Sequence, residues 1–106
     1  MSQKIKAEDA FRLYLQESQD HEAAAIASII LEYLSFLYSA EEEPILLEDF
    51  SEYEVDDLLE FYLMDNYQDY EKIRGKMRVF LKGFVRFALA KSYLSKEEAR
   101  DWKNVL

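Results

Sequence analysis

The stretch KIRGKMRVFLKGFVRFALAK, residues 72–91, repeats its apolar residues with the period of an α-helix. On a helical wheel of about 100° per residue, these side chains fall within roughly one third of the circumference. They are Ile73, Met77, Phe80, Phe84, Phe87 and Ala88. The pattern predicts a long amphipathic helix that begins near Asp69, ends near Ser92 and buries one face.

Three segments before this helix and one after it also have helical periodicity. The predicted helices run over residues 8–17, 22–39 and 52–66, and a short last helix ends near Asn104. Ser95 and Glu98 have the spacing of a capping box, which predicts where the last helix begins. With two Gly and one Pro, the chain has few turn formers and no hairpin pattern. The chain is therefore predicted to be all-α, a single-domain bundle of four to five helices over residues 1–106.

The faces of the first three helices can also be predicted. The first helix turns Phe11, Leu15 and Tyr14 inward. The second is apolar almost all round, and its polar residues form one narrow stripe: Ser28, Glu32, Ser35 and Ser39. Such a helix is typical of the middle of a bundle, with Asp20 as its N-cap. The third helix, capped by Asp49 or Ser51, has an apolar inner face consisting of Val55, Leu58, Leu59, Tyr62 and Leu63.

The charge of the chain is strongly segregated. Residues 17–71 contain seventeen carboxylates and no Lys or Arg, whereas residues 72–106 contain ten cations and three carboxylates. The net charge is −9. Asymmetry of this kind often marks a surface that binds a partner, although it can also be neutralised within the fold.

The chain offers few residues for catalysis or metal binding. It has no Cys and a single His, so disulfides, thiolate sites and multi-His metal sites cannot form within one chain. We expect no catalytic residue, no metal site, no cofactor and no small-molecule substrate. The N-terminus has no signal-peptide pattern, and Glu32 interrupts the longest apolar run, residues 23–40. A cytoplasmic protein without a membrane span is therefore expected.

The cations of the 72–91 helix are the candidate binding residues. Four of them lie at i, i+4 spacing and form one basic ridge: Arg74, Arg78, Lys82 and Arg86. Lys72 and Lys76 lie on the opposite flank. Like charges at this spacing cost about 0.2–0.5 kcal/mol per pair, so an opposite charge is expected nearby. Either the carboxylates of residues 41–71 neutralise the ridge, or the ridge contacts phosphates of a partner.

Two segments in this order, EPILLEDFSEYEVDDLLEFYL (43–63) and KIRGKMRVFLKGFVRFALAKSYLS (72–95), resemble the N-terminal, SAM-like core-binding domain of tyrosine recombinases. The resemblance covers about residues 20–96. Its matching positions are Leu47, Asp49, Val55, Leu58, Leu59, Arg74, Phe80, Phe84, Phe87, Tyr93 and Leu94. It implies a helical bundle that clamps DNA, with Lys72, Arg74, Lys76 and Arg78 near the backbone. The catalytic domain of that family has no counterpart in the sequence, so recombinase activity is not expected.

The sequence thus favours a small acidic, non-enzymatic protein that binds another protein through its charge-segregated surface. The partner is a different protein or a second copy packed antiparallel. One alternative is a DNA-binding module that uses residues 72–86, and another is a DNA mimic that uses the carboxylates of residues 41–71. Trp102 either folds back onto the core or anchors a partner.

Overall fold

The computed structural model describes residues 4–18, 21–38 and 45–106. Within these ranges the chain forms five helices and no strand, which confirms the prediction of an all-α, single-domain bundle. The helices are α1 (Ala7–Ser18), α2 (His21–Tyr38), α3 (residues 52–66), α4 (Tyr70–Ala90) and α5 (Lys96–Val105). No helix in the described part of the chain is long and apolar enough to cross a membrane.

Helix α4, the helix of the 72–91 stretch, is the central helix of the bundle. It contacts each of the other four helices. Its buried residues are Met77, Phe80, Leu81, Phe84, Val85 and Ala88. Four of them belong to the predicted face, Leu81 and Val85 do not, and Ile73 and Phe87 of that face are only partly buried. The helix ends at Ala90, and Ser92 just beyond it has a φ of 62°. This left-handed residue turns the chain back, so that α5 can pack against α4.

Helix α2 has the predicted length, but it does not lie in the middle of the bundle as predicted. It buries Ala23, Ile26, Ala27, Ile30, Tyr33 and Leu34 on one side. Its exposed side is wider than the predicted stripe, because Ala24, Ala25 and Phe36 are exposed together with Ser28, Glu32 and Ser35. Helix α2 therefore lies at the edge of the bundle. Ser39 and the predicted N-cap Asp20 lie outside the described residues.

Helix α3 begins where one of the two predicted caps lies. The side chain of Ser51 accepts the N–H of Tyr53, and Ser51 forms a capping box with Glu54, whereas Asp49 belongs to a preceding 3₁₀ turn (Leu47–Asp49). The helix is α-helical over Glu52–Asp57, has a π turn over Leu58–Tyr62 and is α-helical again over Leu63–Asn66. Inside the π turn, the N–H of Leu63 donates to the Leu58 carbonyl, five residues back.

The 3₁₀ turn is held next to the start of α1. Lys6 and Leu46 form an isolated antiparallel bridge, in which the Leu47 N–H donates to the Ile5 carbonyl over 2.7 Å. This bridge places Phe50 in the core, where its ring lies edge-on to Phe11 at 5.9 Å. The bridge thus joins two segments that are forty residues apart in the sequence, Lys6 and Leu46.

The centre of the core is a stack of aromatic rings. Phe84 of α4 stacks on Phe11 of α1 at 4.3 Å and on Trp102 of α5 at 5.7 Å. Trp102 also packs against Phe50 at 5.7 Å. Truncating one buried ring of this kind to Ala typically costs about 3–5 kcal/mol, so this stack holds α1, α4 and α5 together.

Candidate interaction surface

The first half of the basic ridge is neutralised inside the molecule. Glu60 of α3 forms ion pairs with both of its arginines: Arg78 Nη2 donates to Oε1 over 3.2 Å, and Arg74 Nη2 lies 3.7 Å from Oε2. The Arg74 side chain is only 20% exposed. One carboxylate therefore compensates two of the four ridge cations, as the internal alternative requires.

Arg74 is further fixed by contacts with backbone and ring. Its Nε donates to the carbonyl of Leu59 over 2.8 Å, inside the π turn of α3. Its guanidinium also lies over the ring of Tyr70, 5.4 Å from the centroid. With these contacts Arg74 ties α3 to α4, and it is not available to a phosphate.

The second half of the ridge is open. Lys82 and Arg86 are exposed, and neither forms an ion pair with any residue that the structure describes. The same holds for Lys72 on the other flank, whereas Lys76 pairs with Glu22 of α2 at 3.3 Å. The predicted ridge is thus divided, with arginines bound to Glu60 at one end and uncompensated cations at the other.

A groove runs along α4 beside this open half, between α4, the last turns of α1 and the first turns of α2. We call it the α4 groove. Its volume is about 760 Å³. Its apolar lining consists of Tyr14, Ala23, Ile26, Val79, Phe80, Phe87 and Ala90. Val79 is 72% exposed, so apolar surface is open to solvent on the outer side of the groove.

Ion pairs join the walls of the α4 groove near both of its ends. Lys76 and Glu22 form one of them, and Lys91 lies 3.7 Å from Glu17 of α1 to form the other. Most of the charge at these two points is therefore already paired. The apolar floor between them is the part that a partner can cover.

A second depression, of about 270 Å³, adjoins the α4 groove. It is lined by Lys82, Arg86, Lys103 and Leu106, and we call it the basic depression. Arg86 lines both cavities, so the two lie side by side at this side chain. In the described part of the chain no carboxylate lies within ion-pair distance of its three cations. The depression is thus a local excess of positive charge on a negatively charged protein.

The opposite charge lies on α2 and α3, among tyrosines. The Tyr33 hydroxyl donates to Asp57 over 2.7 Å, and the Tyr67 hydroxyl donates to Glu32 over 2.8 Å. Burial, followed by the bond to Glu32, raises the pKa of Tyr67 to about 12. Burial and the bond to Asp57 also raise the pKa of Tyr33. These phenols stay neutral at physiological pH and hold two acidic side chains against the bundle.

Trp102 does not lie on any of these surfaces. Its side chain is 1% exposed and is packed between Phe50 and Phe84. Of the two roles considered for this residue, folding back onto the core and anchoring a partner, the structure shows the first, with α5 covering the core. The expectation that Trp102 anchors a partner is corrected accordingly, because a buried ring presents no surface to a second molecule.

Of the residues that line the α4 groove, Lys76 and Arg86 were among the predicted binding residues, whereas the apolar ones were not predicted as a site. Val79 was the available signal, because it is an apolar residue among the cations of the outer face of α4. Lys103 had no such signal, since its position beside Arg86 depends on how α5 packs against α4. Among the described residues, no three His, Asp or Glu side chains form a group that could hold a metal ion.

Comparisons with protein-family models, curated proteins and solved structures found no match for this chain. The resemblance to recombinase core-binding domains therefore stays a prediction. Of the four cations that it implies near DNA, Arg74 and Arg78 contact Glu60, and Lys76 contacts Glu22. Only Lys72 among these four lacks an ion pair with a described residue.

Proposed function

We propose that this protein is a non-enzymatic, cytoplasmic interaction module that binds another protein at the α4 groove. The division of the basic ridge carries this proposal. The arginines nearest α3 serve the fold, whereas Lys82 and Arg86 are open beside an apolar cavity of about 760 Å³. A cavity of this size, mainly apolar with a few charged groups at its edge, has the composition of a binding cleft.

The division of the ridge also argues against DNA as the partner. A ridge of four phosphate contacts would make log K fall with log salt at a slope of roughly −3.6, while two contacts would give roughly −1.8. With Arg74 and Arg78 held by Glu60, only the second value is accessible to the ridge. In addition, the backbone of a duplex, which the ridge would contact, is charged and does not favour burial of the exposed Val79.

The proposal can be tested by selection of displayed random peptides on the immobilised protein. We expect enriched peptides whose affinity falls more than tenfold in Val79→Glu, because the introduced carboxylate places a charge in the apolar floor. Ala24→Glu is the matched control: Ala24 is exposed on α2 and does not line the groove. This control should leave the affinity unchanged.

Two results would overturn the proposal. One is a selection that enriches no peptide, or only peptides that bind Val79→Glu and wild type equally. The other comes from fluorescence anisotropy of a labelled random duplex. Tight binding with a salt slope near −3.6, lost in Arg78→Glu/Lys82→Glu, would favour the DNA-binding alternative.

A further inference from the structure

We infer that the α4 groove and the basic depression form one site for an acidic amphipathic helix, with its apolar face in the groove and its carboxylates at the depression. This inference rests on the proposed function, because it names the partner chemistry of the same surface. Arg86 lines both cavities, so the two lie next to each other on the surface.

The groove fits a helix better than an extended peptide. An extended segment needs backbone partners from an exposed sheet edge, and the described part of the chain contains no strand. A helix satisfies its own backbone hydrogen bonds and needs only apolar contacts. Lys76 and Lys91, which mark the two ends of the groove, are fifteen residues apart on the chain. At about 1.5 Å per residue this gives a length of about 22 Å, or about four helical turns.

The distribution of charge determines which part of the ligand lies where. Lys76 and Lys91 are already paired with Glu22 and Glu17. The cations without a described partner are those of the basic depression, Lys82, Arg86 and Lys103. Lys82 and Arg86 lie between Lys76 and Lys91 on α4, so the depression borders one side of the groove. Carboxylates are therefore favoured on the flank of the ligand helix that faces the depression, whereas its apolar face meets the apolar side chains of the groove. Because the whole protein carries a net charge of −9, acidic residues elsewhere on the ligand are repelled.

The experiment compares peptides selected on wild type with peptides selected on the charge-reversed variant Lys82→Glu/Lys103→Glu. Wild type should enrich sequences with apolar residues at i, i+3 or i+4, and i+7, and with Asp or Glu on one flank of this apolar stripe. These peptides should bind the variant at least tenfold more weakly, and their affinity for wild type should fall as salt is raised. The variant should instead enrich peptides with Lys or Arg on that flank.

The outcomes separate this inference from the proposed function. Peptides that depend on Val79 but have no acidic flank, or whose affinity survives the charge reversal, would overturn the inference and leave the proposed function intact. Failure to enrich any Val79-dependent peptide would overturn both. Both substituted lysines are exposed, so we expect the variant to fold. Its circular dichroism and its thermal unfolding, compared with those of wild type, serve as controls.

Discussion

Glu60 is the residue that decides how much of the basic ridge faces solvent. It forms ion pairs with two arginines that the sequence places together on α4, Arg78 at 3.2 Å and Arg74 at 3.7 Å. The spacing of Arg74 and Arg78 is visible in the sequence. Their shared acceptor is not, because it depends on how α3 packs against α4, fourteen residues or more away along the chain.

Replacing this acceptor tests its contribution to stability. We expect Glu60→Gln to lower the free energy of unfolding by up to about 1 kcal/mol, since the partners are partly exposed and the pairs are screened. Denaturant titration at low salt measures the loss, which should shrink at high salt. Asp56→Asn, on the exposed side of the same helix, is the control. Equal losses in the two variants would show that the contacts of Glu60 contribute nothing specific.

The two glycines of α4 form a second test at the residue scale. A Cβ at Gly75 meets nothing within 4 Å, whereas a Cβ at Gly83 would overlap the hydroxyl of Tyr14. The Tyr14 ring is held by Phe80 at 5.1 Å and by Phe87 at 5.4 Å, so it cannot withdraw without repacking.

We expect Gly75→Ala to raise the free energy of unfolding by about 0.5–1 kcal/mol, because Ala is the better helix former. Gly83→Ala gains the same propensity but overpacks the core, which typically costs about 1–3 kcal/mol. Thermal and chemical unfolding of the two variants should therefore rank Gly83→Ala below Gly75→Ala. The opposite order would contradict the close approach of Tyr14 to α4.

At the scale of single elements, the helix starts were the most predictable features. Ser95 and Glu98 form the capping box that their spacing predicts: the Ser95 side chain accepts the N–H of Glu98 over 3.1 Å. Capping is local, so sequence reveals it. The π turn in α3 and the wide exposed side of α2 were not predicted, because both depend on which neighbouring helices cover the apolar residues.

Loss of this cap gives a prediction for α5. Ser95→Ala should lower the free energy of unfolding by about 1 kcal/mol, since the N–H of Glu98 loses its acceptor. Ser95→Asp keeps an acceptor oxygen and should recover most of the loss. Both values come from denaturant titration. A loss in Ser95→Asp as large as that in Ser95→Ala would point to packing of the serine instead of capping.

The whole molecule has more acidic groups than basic ones, and its tyrosines hold some of the acidic groups in place. Between about pH 10 and pH 12 an unfolded chain has lost the Tyr67 proton, while the folded chain retains it. The folded state then binds more protons than the unfolded state. Its stability therefore falls as the pH rises through this window, whereas the contribution is fully present at neutral pH.

We expect Tyr67→Phe to weaken this alkaline loss of stability without abolishing it, because the pKa of Tyr33 is also raised by burial and by Asp57. Free energies of unfolding measured at several pH values above 9 give the slope of stability against pH for wild type and for Tyr67→Phe. Tyr53→Phe, whose ring is 77% exposed, should follow the wild-type slope. An unchanged slope in Tyr67→Phe would contradict the role of its bond to Glu32.

Trp102 is the single tryptophan of the chain and is buried between Phe50 and Phe84. Its fluorescence is therefore an intrinsic probe of the core. The fluorescence of the indole reports on a single environment, the junction of α4, α5 and the segment before α3. Its emission should shift to the red when that junction opens. Trp102 does not line the α4 groove. Binding of a labelled ligand there can therefore be measured through the label, while the tryptophan emission shows independently whether the core stays packed.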